Sequence, residues 1–384
     1  VEGGIVLRAK AQLKLDLIYR VSSGQLGRKE AQELLGVSQR TLERNLKQFR
    51  LLGVLSVCHG NRMKKPRNKT PEILKERVQA LMKDKYFDFN MLHALEKIRE
   101  ETGLDLKRET FRKWCHEIGL VKRRQKRRTA RARYYRQRMG IPGQMLLMDG
   151  SPHVWFGAEV SCLIAAIDDA TGEVPYAEFF ASESTLSCMK VLHKIVEKKG
   201  AFQLLYVDRA GIYGGIKRQG FSQVSRALGE LDTHVIYANS PQAKGRVERL
   251  FKTLQDRLIP ELRLNGIYNL REANAYLNDV FLPEQFHPRF TVKPREPGRT
   301  AYRLLHSSVD LQEGFVIKER RLVGLDQTIS LNGQKFLIDE RLRHSLHGQA
   351  IELRQHPEDG SWAAFFAGKP IRIIPIKVAQ KIAA

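Results

Sequence analysis

Cysteine is scarce in this chain: there are four in 384 residues, Cys58, Cys115, Cys162 and Cys188, and no two stand in a CxxC pair. That number and spacing exclude a disulfide framework, and the expected compartment is a reducing, intracellular one. Cys58-His59 and Cys115-His116 have the wrong spacing for a zinc module, so no zinc is expected. Long hydrophobic runs are missing too. No stretch approaches the roughly 18 to 20 apolar residues of a membrane span, and the opening segment lacks the apolar core and small-residue cleavage site of a secretory signal. Membrane and secreted classes are set aside on that pattern. Acid is short relative to base, since 42 Asp and Glu against 66 Lys and Arg leave a net charge of +24. Such an excess repels itself unless a polyanion neutralises it, and nucleic acid is the usual partner. The apolar share of 42% excludes a disordered basic tail. The length exceeds what a single core serves, so several domains are expected.

The charge is unevenly placed. Residues 1–140 carry 35 basic and 15 acidic side chains, a balance of +20, which leaves 31 and 27, or +4, for the remainder. The front of the chain reads as helical. Lys29 to Leu35, the turn Gly36-Val37-Ser38, and a periodic stretch from Gln39 to Leu52 with Leu42, Leu46 and Phe49 have helix-turn-helix spacing. Arg40, Arg44 and Lys47 would then face outward toward DNA; the bland alternative is an ordinary helical hairpin. A second helical unit opens at Thr70-Pro71-Glu72 and runs past Phe111 and Trp114. From Val121 to Arg138, ten of eighteen residues are Lys or Arg and none is acidic. A solvated face is the usual fate of a charge run. Ten like charges without a carboxylate favour phosphate contact, through Arg123, Arg124, Arg127, Arg128 and Arg131 among others.

Beyond residue 140 the pattern changes to strands. Gln144 to Met148 runs into Asp149, Val160 to Ile167 into Asp168-Asp169, and Phe202 to Val207 into Asp208, with helices and short strands alternating afterwards. This order points to a mixed sheet flanked by helices. Asp149 and Asp208 end their strands where open α/β sheets place ligands. Asp168 and Asp169, beside Thr171-Gly172, read as turn formers. Ser240-Pro241 opens a further helix that carries Glu248 beside the apolar stripe Val247, Leu250, Phe251, Leu254 and Leu258. Taken singly, Glu248 could simply pair with Lys244 and Lys252 at helical spacing. Lys244 and Arg246 suit DNA phosphate better than acid–base work. His153 is tempting as a ligand but is left without a role.

Asp149, Asp208 and Glu248, in the contexts Leu-Leu-Met-Asp-Gly, Tyr-Val-Asp-Arg and Ser-Pro-Gln-Ala-Lys-Gly-Arg-Val-Glu-Arg, resemble the DDE triad of the integrase-core transposases, relatives of retroviral integrase and phage Mu transposase. The last stretch is similar to bacterial insertion-sequence transposases of the ISNCY type. Two features depart from the family pattern: 39 residues lie between Asp208 and Glu248, and Arg-Ala-Gly follows Asp208. The longer gap implies an enlarged loop around Gly211 to Gly220.

The resemblance implies a multidomain chain. Helix-turn-helix DNA-binding units would fill residues 1–60 and 61–120, a basic DNA-contacting linker 121–140, an α/β ribonuclease-H-like catalytic core 141–300, and a small all-β C-terminal barrel 301–384. It implies Asp149, Asp208 and Glu248 as catalytic residues that ligate two Mg²⁺ ions, with Mn²⁺ as a substitute, because hard ions prefer oxygen donors and a phosphodiester displacement needs both its oxygens stabilised. The implied reaction is 3′-end cleavage at the ends of a mobile element followed by strand transfer. The implied partners are double-stranded DNA, both terminal repeats and target, and a homodimer or higher oligomer on that DNA, in a bacterial cytoplasm at the nucleoid. The rivals are a DNA-binding regulator with an inactive core and a nuclease that does not join strands. In the tail, Thr328 to Leu331, the turn Asn332-Gly333 and Lys335 to Ile338 form a hairpin pattern. The tail would contact DNA or another subunit, or serve only as a structural cap.

Overall fold

The computed structural model describes residues 7–58, 70–121, 136–208, 223–238, 245–306, 310–339 and 345–376. The chain divides into two compact units, Val1–Arg77 and Val78–Ala384. In the first, α1 (Ala9–Ser22), α2 (Arg28–Leu35) and α3 (Gln39–Leu52) enclose a small core of Ile18, Ala31, Leu42 and Leu46. Gly36 ends α2 in the left-handed conformation, φ 62°, which lets the Val37 amide reach back to the Gln32 carbonyl. Ser38 occupies the N-cap position of α3, but its hydroxyl pairs with that of Thr41 instead of a backbone amide.

The second unit begins inside α4 (Glu72–Asp84), which packs with α5 (Met91–Thr102) and α6 (Arg108–Glu117) around Val78, Met82, Leu95, Ile98, Phe111 and Trp114. A five-stranded sheet follows, built from β1 (Met145–His153), β2 (Ser161–Asp168), β3 (Ala177–Phe180), β4 (Leu204–Val207) and β5 (His234–Tyr237). Its order is β3-β2-β1-β4-β5. The first three strands form an antiparallel meander, and β4 and β5 run parallel to β1. Helices cover both faces, which is why β2 is buried along its whole length. One face packs on α7 (Thr185–Lys199) and α8 (Gln223–Gly229), and the other on α9 (Gly245–Leu264).

Helix α9 is held from two sides. Val247, Leu250, Phe251, Leu254 and Leu258 bury one stripe against the sheet. On the other side, Arg257 pairs with Glu96 at 2.8 Å and Arg263 with Asp88 at 2.7 Å. The buried Glu261 accepts from His93 at 2.7 Å and Lys97 at 2.8 Å. Helix α5 is thus joined to α9 by charge as much as by apolar contact. Burial alone would push the Glu261 carboxyl up, yet donation from His93 and Lys97 holds it down at about 2.

After α10 (Leu270–Tyr276), a π-helical stretch Leu277–Phe286 containing Pro283, and α11 (His287–Phe290), the chain returns along the sheet's start, where Ala201 and Arg303 exchange backbone hydrogen bonds. A short α12 (Leu311–Gly314) precedes β6 (Ile317–Leu322), β7 (Thr328–Leu331), β8 (Gln334–Ile338), β9 (Ala350–Gln355), β10 (Trp362–Phe366), β11 (Lys369–Ile371) and β12 (Ile373–Pro375). They form a four-stranded sheet β11-β10-β9-β6 and a three-stranded sheet β12-β8-β7. The β7–β8 turn is Asn332-Gly333, with both residues at positive φ, as its sequence predicts. Where the sequence led us to expect a barrel, the described residues show two open sheets. The last strand changes partner at Arg372, pairing with β10 before it and β8 after it, and this joins the sheets along one side without closing them. No helix among the described residues is long and apolar enough to cross a membrane.

Candidate active site

Alternation along β1 decides where Asp149 points. Met145 and Leu147 belong to the core under α9, whereas Leu146 and Met148 face α7 and α8, so Asp149 falls on the α9 side. It is half-buried, and the Gly150 amide donates to its Oδ1 at 3.2 Å. Asp208 follows β4 directly. The parallel register pairs Leu147 with Tyr206, so Asp149 and Asp208, each two residues further along, are level on adjacent strands. Leu204 and Tyr206 pack against the α9 core and Leu205 and Val207 against the other, which gives Asp208 the same face as Asp149.

Glu248 is exposed in the first turn of α9. The Gln255 amide donates to Ser151 Oγ at 3.2 Å and sets the level of this helix on β1. Glu248 is thus on the helix that Gln255 ties to β1 two residues beyond Asp149. Adjacency stops short of a ligand cage: among the described residues, no three His, Cys, Asp or Glu side chains are close enough together to hold a metal ion. The donor chemistry fits a hard divalent ion, with Asp149 and Asp208 side by side and only carboxylate oxygens offered.

The other predicted residues separate into three groups. Arg40, Arg44 and Lys47 are exposed on α3, opposite the buried Leu42 and Leu46. Arg123, Arg124, Arg127, Arg128, Arg131 and Lys244, with the predicted cap Ser240-Pro241 and the loop around Gly211 to Gly220, lie outside the described residues. Arg246 turns inward. Its side chain is only 16% exposed, one nitrogen donates to Asp169 and another to the Arg136 carbonyl at 2.7 Å. Burial pulls its guanidinium below the usual range while Asp169 opposes the shift. His153 sits edge-on to Trp155 at 5.7 Å. Cys115 is buried in the α6 core, where burial pushes its thiol up to about 11.

Two acidic positions gained roles that the sequence did not show. Asp168 does form its turn, accepting from the Ala170 and Thr171 amides at 2.9 and 3.0 Å, and it also accepts from the Gly143 amide at 2.7 Å. Asp169 is fully buried and gathers Arg136, Arg246 and the Met139 amide. Glu183 was also missed. Its carboxylate lies over Gly150, so close that a Cβ there would come within 2.6 Å of Oε2. Cys162 registers the local negative charge: burial first, then Glu183 and Asp149, raise its thiol to about 11. The one available signal was an acid directly before the cap Ser184 of α7.

No protein-family model matches the chain. Among curated proteins it is 31% identical over 365 residues to the "Putative transposase y4bF" of Sinorhizobium fredii, an alignment covering 92% of this chain and 79% of that protein. It is 29% identical over 300 residues to the transposase for insertion sequence IS1202 of Streptococcus pneumoniae, covering 68% of this chain and 64% of that one. Among solved structures, a simian T-cell lymphotropic virus intasome in complex with a PP2A regulatory subunit is 14% identical at a TM-score of 0.35, covering 78% of this chain and 97% of that chain. The HTLV-2 integrase catalytic core in complex with magnesium is also 14% identical, at a TM-score of 0.29, covering 37% and 91%. These structural likenesses are too slight to carry an assignment. The sequence match to y4bF, spanning nearly all of this chain and most of its relative, does carry one: the chain belongs to the same family of transposases.

Proposed function

We propose that this transposase is a DDE-type polynucleotidyl transferase that binds the ends of a mobile element, cleaves at the 3′ ends and joins those ends to target DNA, using Asp149, Asp208 and Glu248. The observation that carries the reading is the level placement of Asp149 and Asp208 on one face of β1 and β4, under a helix whose first turn bears Glu248. The meander of three strands followed by two parallel strands supports a ribonuclease-H-like core. Two bound Mg²⁺ ions, or Mn²⁺ in their place, would activate the attacking oxygen and stabilise the leaving one. The protein's own part is to hold its carboxylates in place: β1 and β4 fix two of them through backbone pairing, and α9 fixes the third through its buried stripe. The exposed Arg40, Arg44 and Lys47 and the basic stretch 121–138 are assigned to DNA. Residues 1–60 and 61–120 serve as helix-turn-helix units and 301–384 as a small β domain. We assign a dimer or larger assembly on paired ends, in the bacterial cytoplasm at the nucleoid.

Incubating the protein and Mg²⁺ with a labelled duplex carrying the element's end tests the reading. Wild type should free a 3′ hydroxyl at the element's end and join that oxygen to a target phosphorus with displacement of the target's own 3′ oxygen, and Asp149→Asn or Asp208→Asn should do neither while still binding. Unchanged activity in both variants refutes the site. Cleavage without joining favours a nuclease, and binding without either favours a regulator.

A further inference from the structure

Asp169 is a fully buried carboxylate that receives two guanidinium groups and a backbone amide. Arg136 reaches it at 2.5 Å from near the end of the basic run, and Met139 N–H at 2.8 Å from just after it. Arg246 reaches it from the first turn of α9, two residues before Glu248, and donates to the Arg136 carbonyl as well. The Asp169 amide donates to the Met145 carbonyl at 3.0 Å, so this carboxylate is fixed to the start of β1. Helix α9 is therefore pinned to β1 at two levels, by Gln255 on Ser151 and by Arg246 on Asp169. A buried ion group is a costly way to hold a fold together, because its members must leave water. Without Asp169, Arg246 would also face Arg136 and Arg138 as like charges, which already weigh against its protonated form.

We infer that Asp169 is a positioning residue that couples the DNA-bound basic run to the placement of Glu248. It acts through Arg246 and touches neither substrate nor metal. Arg136 belongs to the run assigned to DNA, and Arg136 and Arg246 share one carboxylate, so DNA engaging Arg136's end of that run would also seat the first turn of α9. The inference rests on the reading of Glu248 as catalytic.

The test uses the full chain with a labelled duplex carrying the element's end, and the variants Asp169→Asn, Arg246→Lys and Glu248→Gln. Arg246→Lys keeps a cation for Asp169 but cannot also hold the Arg136 carbonyl, and so mild a change guards against a variant that fails to fold. Both positioning variants should lose about tenfold to a hundredfold in the cleavage rate at saturating DNA, with duplex affinity and its salt slope kept. Amide exchange across Val247 to Phe251 supplies a readout independent of activity: added duplex should slow it in wild type and leave it unslowed in Arg246→Lys. A folded Arg246→Lys protein with the wild-type rate and wild-type protection overturns the inference. If Glu248→Gln is inactive while the positioning variants are normal, only the coupling fails. If Glu248→Gln is itself fully active, the catalytic reading fails with it.

Discussion

Neighbouring residues of one type can have unrelated tasks, and Asp168 and Asp169 show why sequence does not separate them. Both stand where a turn former belongs, and Asp168 is one. The partners of Asp169 lie 33 and 77 residues away, beyond the reach of any local pattern. The same distance hid the inward turn of Arg246, whose charge suggested DNA. Asp208 follows the end of β4 as its sequence suggests, whereas Asp149, expected at a strand end, lies in the middle of β1 opposite Ala165, because the strand continues through Gly150 to His153 on its pairing with β2. Glycines give the residue-scale prediction. At Gly200, φ is 93° and an added Cβ would lie 2.4 Å from the Arg303 carbonyl oxygen, which belongs to rigid backbone. At Gly150 the atoms nearest an added Cβ all belong to the carboxylate tip of the exposed Glu183 side chain. Gly200→Ala should destabilise by more than about 2 kcal/mol, and Gly150→Ala by less than about 1 kcal/mol. Denaturant unfolding of the two variants checks the order; equal losses would contradict the packing described at Arg303.

Among the elements, α9 carries the most. Its apolar stripe could be read from the sequence, as could the strands and the Gly36 and Asn332-Gly333 turns, because each follows from periodicity or from a backbone conformation that few residues adopt. Its charged seam with α5 could not be read, since ion pairs between segments some 160 residues apart leave no periodic trace. The partner change at Arg372 leaves no local trace either, since only one residue separates Lys369–Ile371, paired with β10, from Ile373–Pro375, paired with β8. The seam predicts an acid response. The Glu261 carboxyl is held at about 2, below its ordinary value near 4.5, so its contribution is complete above the upper value and is lost as pH falls toward the lower one. Glu261→Gln should cost on the order of 3 to 5 kcal/mol near neutral pH, by leaving His93 and Lys97 with a neutral partner in a buried site. It should also remove part of the acid-limb loss seen in wild type. Urea unfolding of both proteins across about pH 5 to 3 reads this, and identical slopes would show that the seam does not titrate as assigned.

Across the whole molecule, the net charge of +24 resolves into +20 before residue 141 and +4 after it. The division matches the tasks proposed above: a front assigned to DNA, and a core whose carboxylates are assigned to divalent cations. Replacing Arg123, Arg124, Arg127 and Arg128 together with Gln should weaken duplex binding and reduce the log–log salt slope by about 0.9 for each phosphate that is no longer neutralised. An unchanged slope would remove the basic run from the DNA interface. The central claim, that Asp149, Asp208 and Glu248 act as one unit, is tested most directly by single-turnover cleavage of an element end by the three single carboxylate-to-amide variants and the triple variant. Groups that act together lose nearly everything when any one is removed. Each single variant should therefore fall to the residual rate of the triple, and a single variant that keeps the wild-type rate would contradict the account.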